Sequence, residues 1–255
     1  HLSMNVLFCD LRSFTTLIEG LGPSRAFPFI NRYLQHMEPA IYHNNGFINQ
    51  YLGDCIMALF PKRIEDAIQA SLAMAQGLEK LNQDGEGPVL KFGIGIGSGS
   101  LMMGTIGGMD RLDSGVIGDT VNRAARIEGL TKFYGAVLLL GESAYLSLPV
   151  EHSFQIREID QVVLKGKTEP VRLYEVIDAL PPGERLRRLE TMEWFSAARR
   201  AWSDGRLEDA RQGFERCCAH DPEDRASQEY VQRCLTWGDQ PLPASWNGVT
   251  VLQHK

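Results

Sequence analysis

Two aspartates stand where carboxylates could hold a cation. Asp10 closes the apolar run MNVLFC at 4–9, and Asp54 lies in the link Leu52-Gly53-Asp54-Cys55 between the apolar runs FINQYL and CIMALF. Carboxylates at the tips of neighbouring strands suit hard divalent cations such as Mg²⁺ and Mn²⁺, which prefer oxygen ligands and keep positions open for phosphate. A pair of such cations stabilises the attacking and leaving oxygens of an in-line displacement at phosphorus, so phosphoryl transfer is the chemistry this pair suggests. Taken singly, each aspartate also fits a plainer role, Asp10 capping the turn at 11–15 and Asp54 filling a tight hairpin. His36, His43 and His152 show no ligand spacing and receive no role.

The elements around these residues follow from periodicity. The run at 4–9 reads as a buried strand, and Arg12, Ser13 and Thr15 lead into a turn. From Ser24 to His43, apolar Phe27, Ile30, Tyr33, Leu34, Met37 and Ile41 recur at three-to-four spacing, which predicts an amphipathic helix disturbed at Pro28 and Pro39. FINQYLGDCIMALF predicts a hairpin with Asp54 at its tip. Ile64 to Leu81 is patterned as a second helix, VLKFGIGIGSG and SLMMGTIGG as a glycine-rich strand pair, and TVNRAARIEGLTKFYG as a third helix capped by Asp119 or Thr120. Short strands with turns at Gly141, Gly166 and Pro170 follow to Ala179. Strand, helix, two strands, helix, strand is the βαββαβ arrangement of a ferredoxin-like α/β (α+β) sheet.

Pro181-Pro182-Gly183 marks a shift to charged, helical composition. The expected division is a first domain at 1–180, a linker at 181–190, a helical segment at 191–237 and an irregular tail at 238–255. In the helical segment Gly205, Ala210, Phe214, Cys217 and Pro222 resemble one tetratricopeptide repeat, a small helical hairpin. A single repeat cannot form a solenoid, so its expected role is packing on the first domain or on a partner chain.

Composition narrows the classes. With 26 basic and 32 acidic residues the chain carries a net charge of −6, which gives no general attraction to nucleic acid or anionic membrane. Its longest apolar runs are far shorter than the roughly 20 residues of a spanning helix. Five scattered cysteines, without a C-x-x-C pair, argue against a disulfide framework and a zinc site and suit a reducing cytoplasm. Cys9 and Cys55, each beside one of the aspartates, read as small buried residues pointing away from them. The chain has no initiator Met and no signal peptide, so it reads as excised from a longer protein whose N-terminal region could hold a sensor or an anchor.

Five blocks, FCDLRSFT at 8–15, QYLGDCIMALF at 50–60, GIGIGSGSLMMGTIGG at 93–108, GVIGDTVNRAARIEGLTK at 115–132 and VLKGKTEPVRLYEV at 163–176, occur in the order and spacing of class III nucleotidyl cyclases. The resemblance covers residues 4–178, and the helical tail also looks like one found behind the catalytic domain of large bacterial cyclases. It implies a homodimer with two active sites at the interface. Asp10 and Asp54 match the family's two metal aspartates, holding two Mg²⁺ or Mn²⁺ ions, and the other subunit contributes Asn122 to the ribose and Arg126 to the α-phosphate. Lys165 matches the lysine that holds the β- and γ-phosphates, with Lys167 as the neighbouring alternative in a turn that is also what a plain solvated loop would show. Leu11, Arg12, Ser13, Phe14 and Thr15 would present backbone N–H groups to the triphosphate. Arg111 is a further phosphate candidate, or an ordinary surface arginine.

The base-recognition positions depart from the family's pattern. Gln50 stands where adenylyl cyclases usually carry Lys and guanylyl cyclases Glu, and Gly115 where Thr or Asp, or Cys, is usual. Gln50 can donate and accept a hydrogen bond, while Gly115 offers backbone and space. The implied reaction is conversion of ATP to 3′,5′-cyclic AMP and pyrophosphate. GTP, a pyrimidine triphosphate, or a catalytically silent module are the alternatives, and a diguanylate cyclase is set aside because its Gly-Gly-Asp/Glu-Glu-Phe signature is missing.

Overall fold

The computed structural model describes residues 2–251 apart from 86, 108–111, 165, 167 and 239. Its sheet is built around β1 (Leu2–Leu11), which pairs antiparallel with β3 (Cys55–Phe60) and with β4 (Phe92–Gly107). β2 (Phe47–Leu52) returns on β3 through a two-residue turn in which the positive φ falls on Gly53 alone, as a type II′ hairpin requires. The order β2-β3-β1-β4, with helices α2 (Pro23–His43) and α3 (Ile64–Gln83) as the crossovers, is the expected ferredoxin-like arrangement. The sheet continues from β4 through β6 (Leu138–Gly141), β8 (Pro170–Val176) and β7 (Ile156–Val163) to β9 (Thr250–Val251), and β5 (Leu112–Ile117) pairs the far half of β4. A short helix α5 (Glu142–Tyr145) follows β6.

Alternation along β1 divides the core. Leu7, Cys9 and Leu11 pack with Tyr33, Met37 and Ile41 of α2 and Ile68 and Met74 of α3. Val6 and Phe8 face the other way, toward Ala124 of α4 (Asp119–Tyr134). A strand buried on both faces has no polar alternation, which is why MNVLFC reads as a continuous apolar run. In β4 the division is sharper. Ile94 and Ile96 join the α2–α3 core, while Gly93, Gly95, Gly97 and Gly99 lie under Thr131, Glu128, Ala124 and Thr120 of α4. A Cβ on Gly95 would lie 2.6 Å from the Cα of Glu128. Gly95→Ala is therefore expected to lower stability by about 1–3 kcal/mol through overpacking, read as a lower denaturation midpoint.

Several elements differ from the sequence expectation. A helix α1 (Phe14–Leu21) begins where only a turn was expected. α2 runs through Pro28 and Pro39, because buried Ala26 before Pro28, Tyr33 and Met37 between the prolines and Ile41 after Pro39 anchor turns on both sides of each. The two glycine-rich runs are one continuous strand, β4, whose hairpin partner is β5. Neither Asp119 nor Thr120 caps α4: Gly118 is the cap residue, and the Thr120 hydroxyl donates to the Ser100 carbonyl at 3.0 Å.

The tail holds α6 (Pro182–Ser203), α7 (Leu207–His220) and α8 (Arg225–Trp237). Within the stretch expected as a linker, residues 182–190 form the first turns of α6, since Pro182 sits in the first turn, where no amide hydrogen is needed. Phe195, Phe214 and Tyr230 of these helices share one buried cluster with Ile159 and Leu173 of β7 and β8 and with Ile127 and Tyr134 of α4.

Candidate active site

Asp10 and Asp54 meet at one end of β1. Asp10 follows Phe8 onto the α4 face, and the Gly53 turn brings Asp54 back over the strand end, where its Oδ2 accepts the Leu11 N–H at 3.2 Å. Burial first, then the charge of Asp10, with which it shares a hydrogen bond, push the Asp54 carboxyl up to about 6. A divalent cation would relieve that repulsion. Among the described residues no group of three or more Asp, Glu, His or Cys side chains could hold a metal ion. The chain thus supplies two carboxylates and leaves the other coordination positions open, a donor set that fits Mg²⁺, commonly held by one or two carboxylates together with substrate phosphates.

Arg12 faces α4. Its Nη1 pairs with Glu128 at 3.3 Å and its Nη2 donates to the Thr131 hydroxyl, while its backbone N–H donates to the Lys91 carbonyl at 2.8 Å. Burial, only partly offset by Arg12, raises the Glu128 carboxyl to about 7. Of the five residues expected to present N–H groups to phosphate, Leu11 and Arg12 therefore have theirs engaged. Ser13, in the left-handed region at φ 56°, leads into α1, and the N–H groups of Phe14 and Thr15 open that helix, where no intrahelical carbonyl reaches them. Among the described residues, the amides left without an intrachain partner in this stretch are those at the start of α1.

Asn122 and Arg126 lie two residues from the positions of α4 that rest on the glycines, about 200° around the helix axis. They face away from the strand that carries Asp10. Asn122 is exposed, Arg126 is half-buried, and no ion pair among the described residues joins Arg126 to either aspartate. Arg126 Nη1 is buried without a hydrogen-bond partner among the described residues. One chain thus displays a carboxylate pair and an Asn-Arg pair that do not converge.

The sequence pattern of the adenylate and guanylate cyclase catalytic domain matches residues 1–177. The chain belongs to this family. It is 46% identical over 182 residues to an adenylate cyclase of Anabaena cylindrica, covering 68% of this chain and 36% of that protein. It is 30% identical over 240 residues to the terminal-differentiation-specific adenylate cyclase of Dictyostelium discoideum, covering 91% of this chain and 11% of that protein. The chain thus spans about a third and about a tenth of the length of these relatives. A bacterial light-regulated adenylyl cyclase superposes with a TM-score of 0.64 at 26% identity, over 71% of this chain and 53% of that one. A guanylyl cyclase superposes with a TM-score of 0.59 at 30% identity, over 71% of this chain and 94% of that one.

In this cyclase domain the two residues expected at the base, Gln50 and Gly115, are also apart. Gln50 is exposed on β2 at the sheet edge, whereas Gly115 pairs with Gly104 on the far half of β4. Three strand spacings, roughly 14 Å, separate β2 from β4. Lys165, Lys167 and Arg111 lie outside the described residues. Gly166, between the two lysines, is described, and a Cβ there would lie 3.7 Å from Arg126 Nη2, so the β7–β8 connection runs beside the outer face of α4. Cys9 points into the α2–α3 core as expected, but Cys55 lies on the α4 face with the carboxylates, because it stands beside Met57 in the alternation of β3. Burial pushes both thiols up, which leaves neither as a reactive thiolate.

The glycine alternation and the Arg12–Glu128 tie were missed by sequence reasoning. The first had a signal, period-2 glycines opposite a helix rich in small residues. The second had none, since the two residues are 116 positions apart. No helix of the described residues is long and apolar enough to cross a membrane.

Proposed function

We propose that this domain is an adenylate cyclase that converts ATP to 3′,5′-cyclic AMP and pyrophosphate as a homodimer. The observation that carries the reading is the divergence of the two half-sites: a chain that aims Asp10 and Asp54 one way and Asn122 and Arg126 another completes a site only with a second copy. Asp10 and Asp54 of one copy would hold two divalent cations, Mg²⁺ or Mn²⁺, which when bound activate the ribose 3′-oxygen and offset charge at the triphosphate. Asn122 of the other copy positions the ribose. Arg126 places a fixed cation against the negative charge that grows at the α-phosphate as the 3′-oxygen attacks, and its buried, unpartnered Nη1 supports this role. The N–H groups at the start of α1 and Lys165 receive the β- and γ-phosphates.

ATP is assigned because the relatives that are 46% and 30% identical are adenylate cyclases. Gln50 then reads the adenine edge. Turnover of ATP, GTP, CTP and UTP, each with Mn²⁺ and with Mg²⁺, tests the assignment, and a preference for another base overturns it. In the tail, Ala210, Phe214 and Cys217 are buried on α7, Gly205 has φ +75° in the turn before it, and Pro222 follows it. We read α6–α7 as one tetratricopeptide-like pair on that support, within a longer protein whose N-terminal region supplies regulation.

Mixing tests the shared site. Arg126→Ala alone is expected to lower turnover about 10²–10³-fold. Mixed in equal amounts with Asp54→Ala, which is inactive in the other half-site, it should recover about a quarter of wild-type activity, because half of randomly formed dimers are mixed and each of those holds one intact site. A mixture no more active than its parts rules the shared site out.

A further inference from the structure

α4 rests on glycines, and a glycine track offers no side chains with which a helix can interlock. Its position along the track is then set by polar ties together with the packing of Ile127 and Tyr134 beside it. At its start Thr120 holds the Ser100 carbonyl, and midway Arg12 holds Glu128. Its far end is held by the tail. Tyr134, the last residue of α4, donates its hydroxyl to Asp160 Oδ2 of β7 at 2.6 Å, and the same carboxylate accepts Arg233 Nη1 at 2.6 Å and the Tyr230 hydroxyl at 2.8 Å, both from α8. Arg225, at the head of α8, donates to the Lys132 carbonyl at 3.2 Å, and its stem lies against Gly135, the left-handed cap of α4.

A bulge brings Asp160 to this place. The register of β7 on β8 slips between Glu158 and Asp160, so neighbouring Ile159 and Asp160 are both buried, and Asp160 joins Arg157 on the side that faces the tail. β7 ends at Val163, and the connection that follows it carries Lys165.

We propose that the tail is a positioning part of the catalytic unit: through Tyr134, Asp160 and Arg225 it fixes where α4, with Asn122 and Arg126, stands relative to the β7–β8 connection. This rests on the assignment of Asn122 and Arg126 to the active site. The three are positioning residues, since they act through α4: Tyr134 and Asp160 hold each other, and Arg225 holds the Lys132 carbonyl at the end of the helix. Displacement of a reacting group by about 1 Å costs up to about a hundredfold in rate, and loss of one tie among several costs less.

The test uses the whole chain and three variants. Tyr134→Phe removes one hydroxyl, Arg225→Ala changes an exposed residue, and Ile68→Val, buried in the α2–α3 core, serves as a control for general loosening. With ATP and Mn²⁺, kcat is expected to fall about fivefold in each tie variant and further in their double variant, with KM within about twofold, because Arg126 acts on charge that exists only in the transition state. Ile68→Val keeps wild-type kcat. Amide exchange over 128–134 should quicken in the tie variants alone, a readout that stands even if the wild type makes no cyclic nucleotide, in which case the cyclase assignment is what has failed. Unchanged kcat in an active enzyme, unchanged exchange, or an equal fall in Ile68→Val overturns the positioning role.

Discussion

Asp54→Ala should lower cyclic-nucleotide formation by at least about a thousandfold while leaving the fold intact. A thousandfold is about 4 kcal/mol of transition-state stabilisation, the scale expected when one of only two carboxylates offered to the cations is removed. The fold survives because Asp54 sits in a half-buried hairpin turn, where the bond it accepts from the Leu11 N–H is worth about 1 kcal/mol and its contact with Asp10 is one between like charges. Its folded pKa, about 6, lies above the ordinary value of about 3.9, so the ionised carboxylate opposes folding and does so increasingly as pH rises through 6. Without added metal the variant should therefore melt no lower than wild type at pH 7. Adding Mn²⁺ should raise the wild-type midpoint and leave the variant's unchanged, as RT ln(1 + [L]/Kd) requires of a ligand that binds only the intact site. A variant that keeps its turnover, or one that still responds to Mn²⁺, would remove the metal assignment.

Asp224→Ala is expected to cost about 3–5 kcal/mol of stability, the largest structural effect of a single change considered for this chain. Asp224 is fully buried between the tail and the sheet, where it accepts Arg157 Nη1 and Nη2 at 2.8 and 2.7 Å and the Ser227 hydroxyl at 2.6 Å. Arg157 is 1% exposed and among the described residues would keep Glu175 as its one carboxylate partner, which it must share with Arg188. The cost arises from stranding a buried guanidinium rather than from the worth of the pair itself. Burial alone would raise the Asp224 carboxyl, but the charge and hydrogen bonds of Arg157 outweigh it and hold the carboxyl well below the usual range. A depressed carboxyl contributes stability that is present above its unfolded value, about 3.9, and is lost as pH falls below it. Denaturant unfolding should thus show the gap between wild type and variant narrowing from pH 7 to pH 3. A loss under 1 kcal/mol at pH 7 would mean that the tail is not bound to the sheet through this ion pair.

Much of the site was legible because it is local. Asp10 and Asp54 terminate apolar runs, and the hairpin turn that carries Asp54 is written in Gly53; Asn122 and Arg126 need only helical periodicity to share a face. The βαββαβ order followed from the alternation of periods along the chain. The tail hid more. PPG at 181–183 looked like a boundary, yet Pro182 opens a helix, because proline breaks helices only past their first turn. Nor could local pattern say which amides of 11–15 have partners within the chain, since those partners lie elsewhere, Asp54 for Leu11 and Lys91 for Arg12.

The sequence by itself determined the residue types and the local geometry of the site: two carboxylates at strand tips, an asparagine and an arginine on one helix face, and glycines on every second position of β4. Only the tertiary structure decided that those glycines seat α4 with Asn122 and Arg126 turned outward, that the Arg12 side chain pairs with Glu128, and that a bulge at Ile159 sends Asp160 into the tail. The first set depends on neighbours within one turn or one pleat. The second depends on partners as much as 116 residues away, which packing and buried charge bring together and no local pattern encodes.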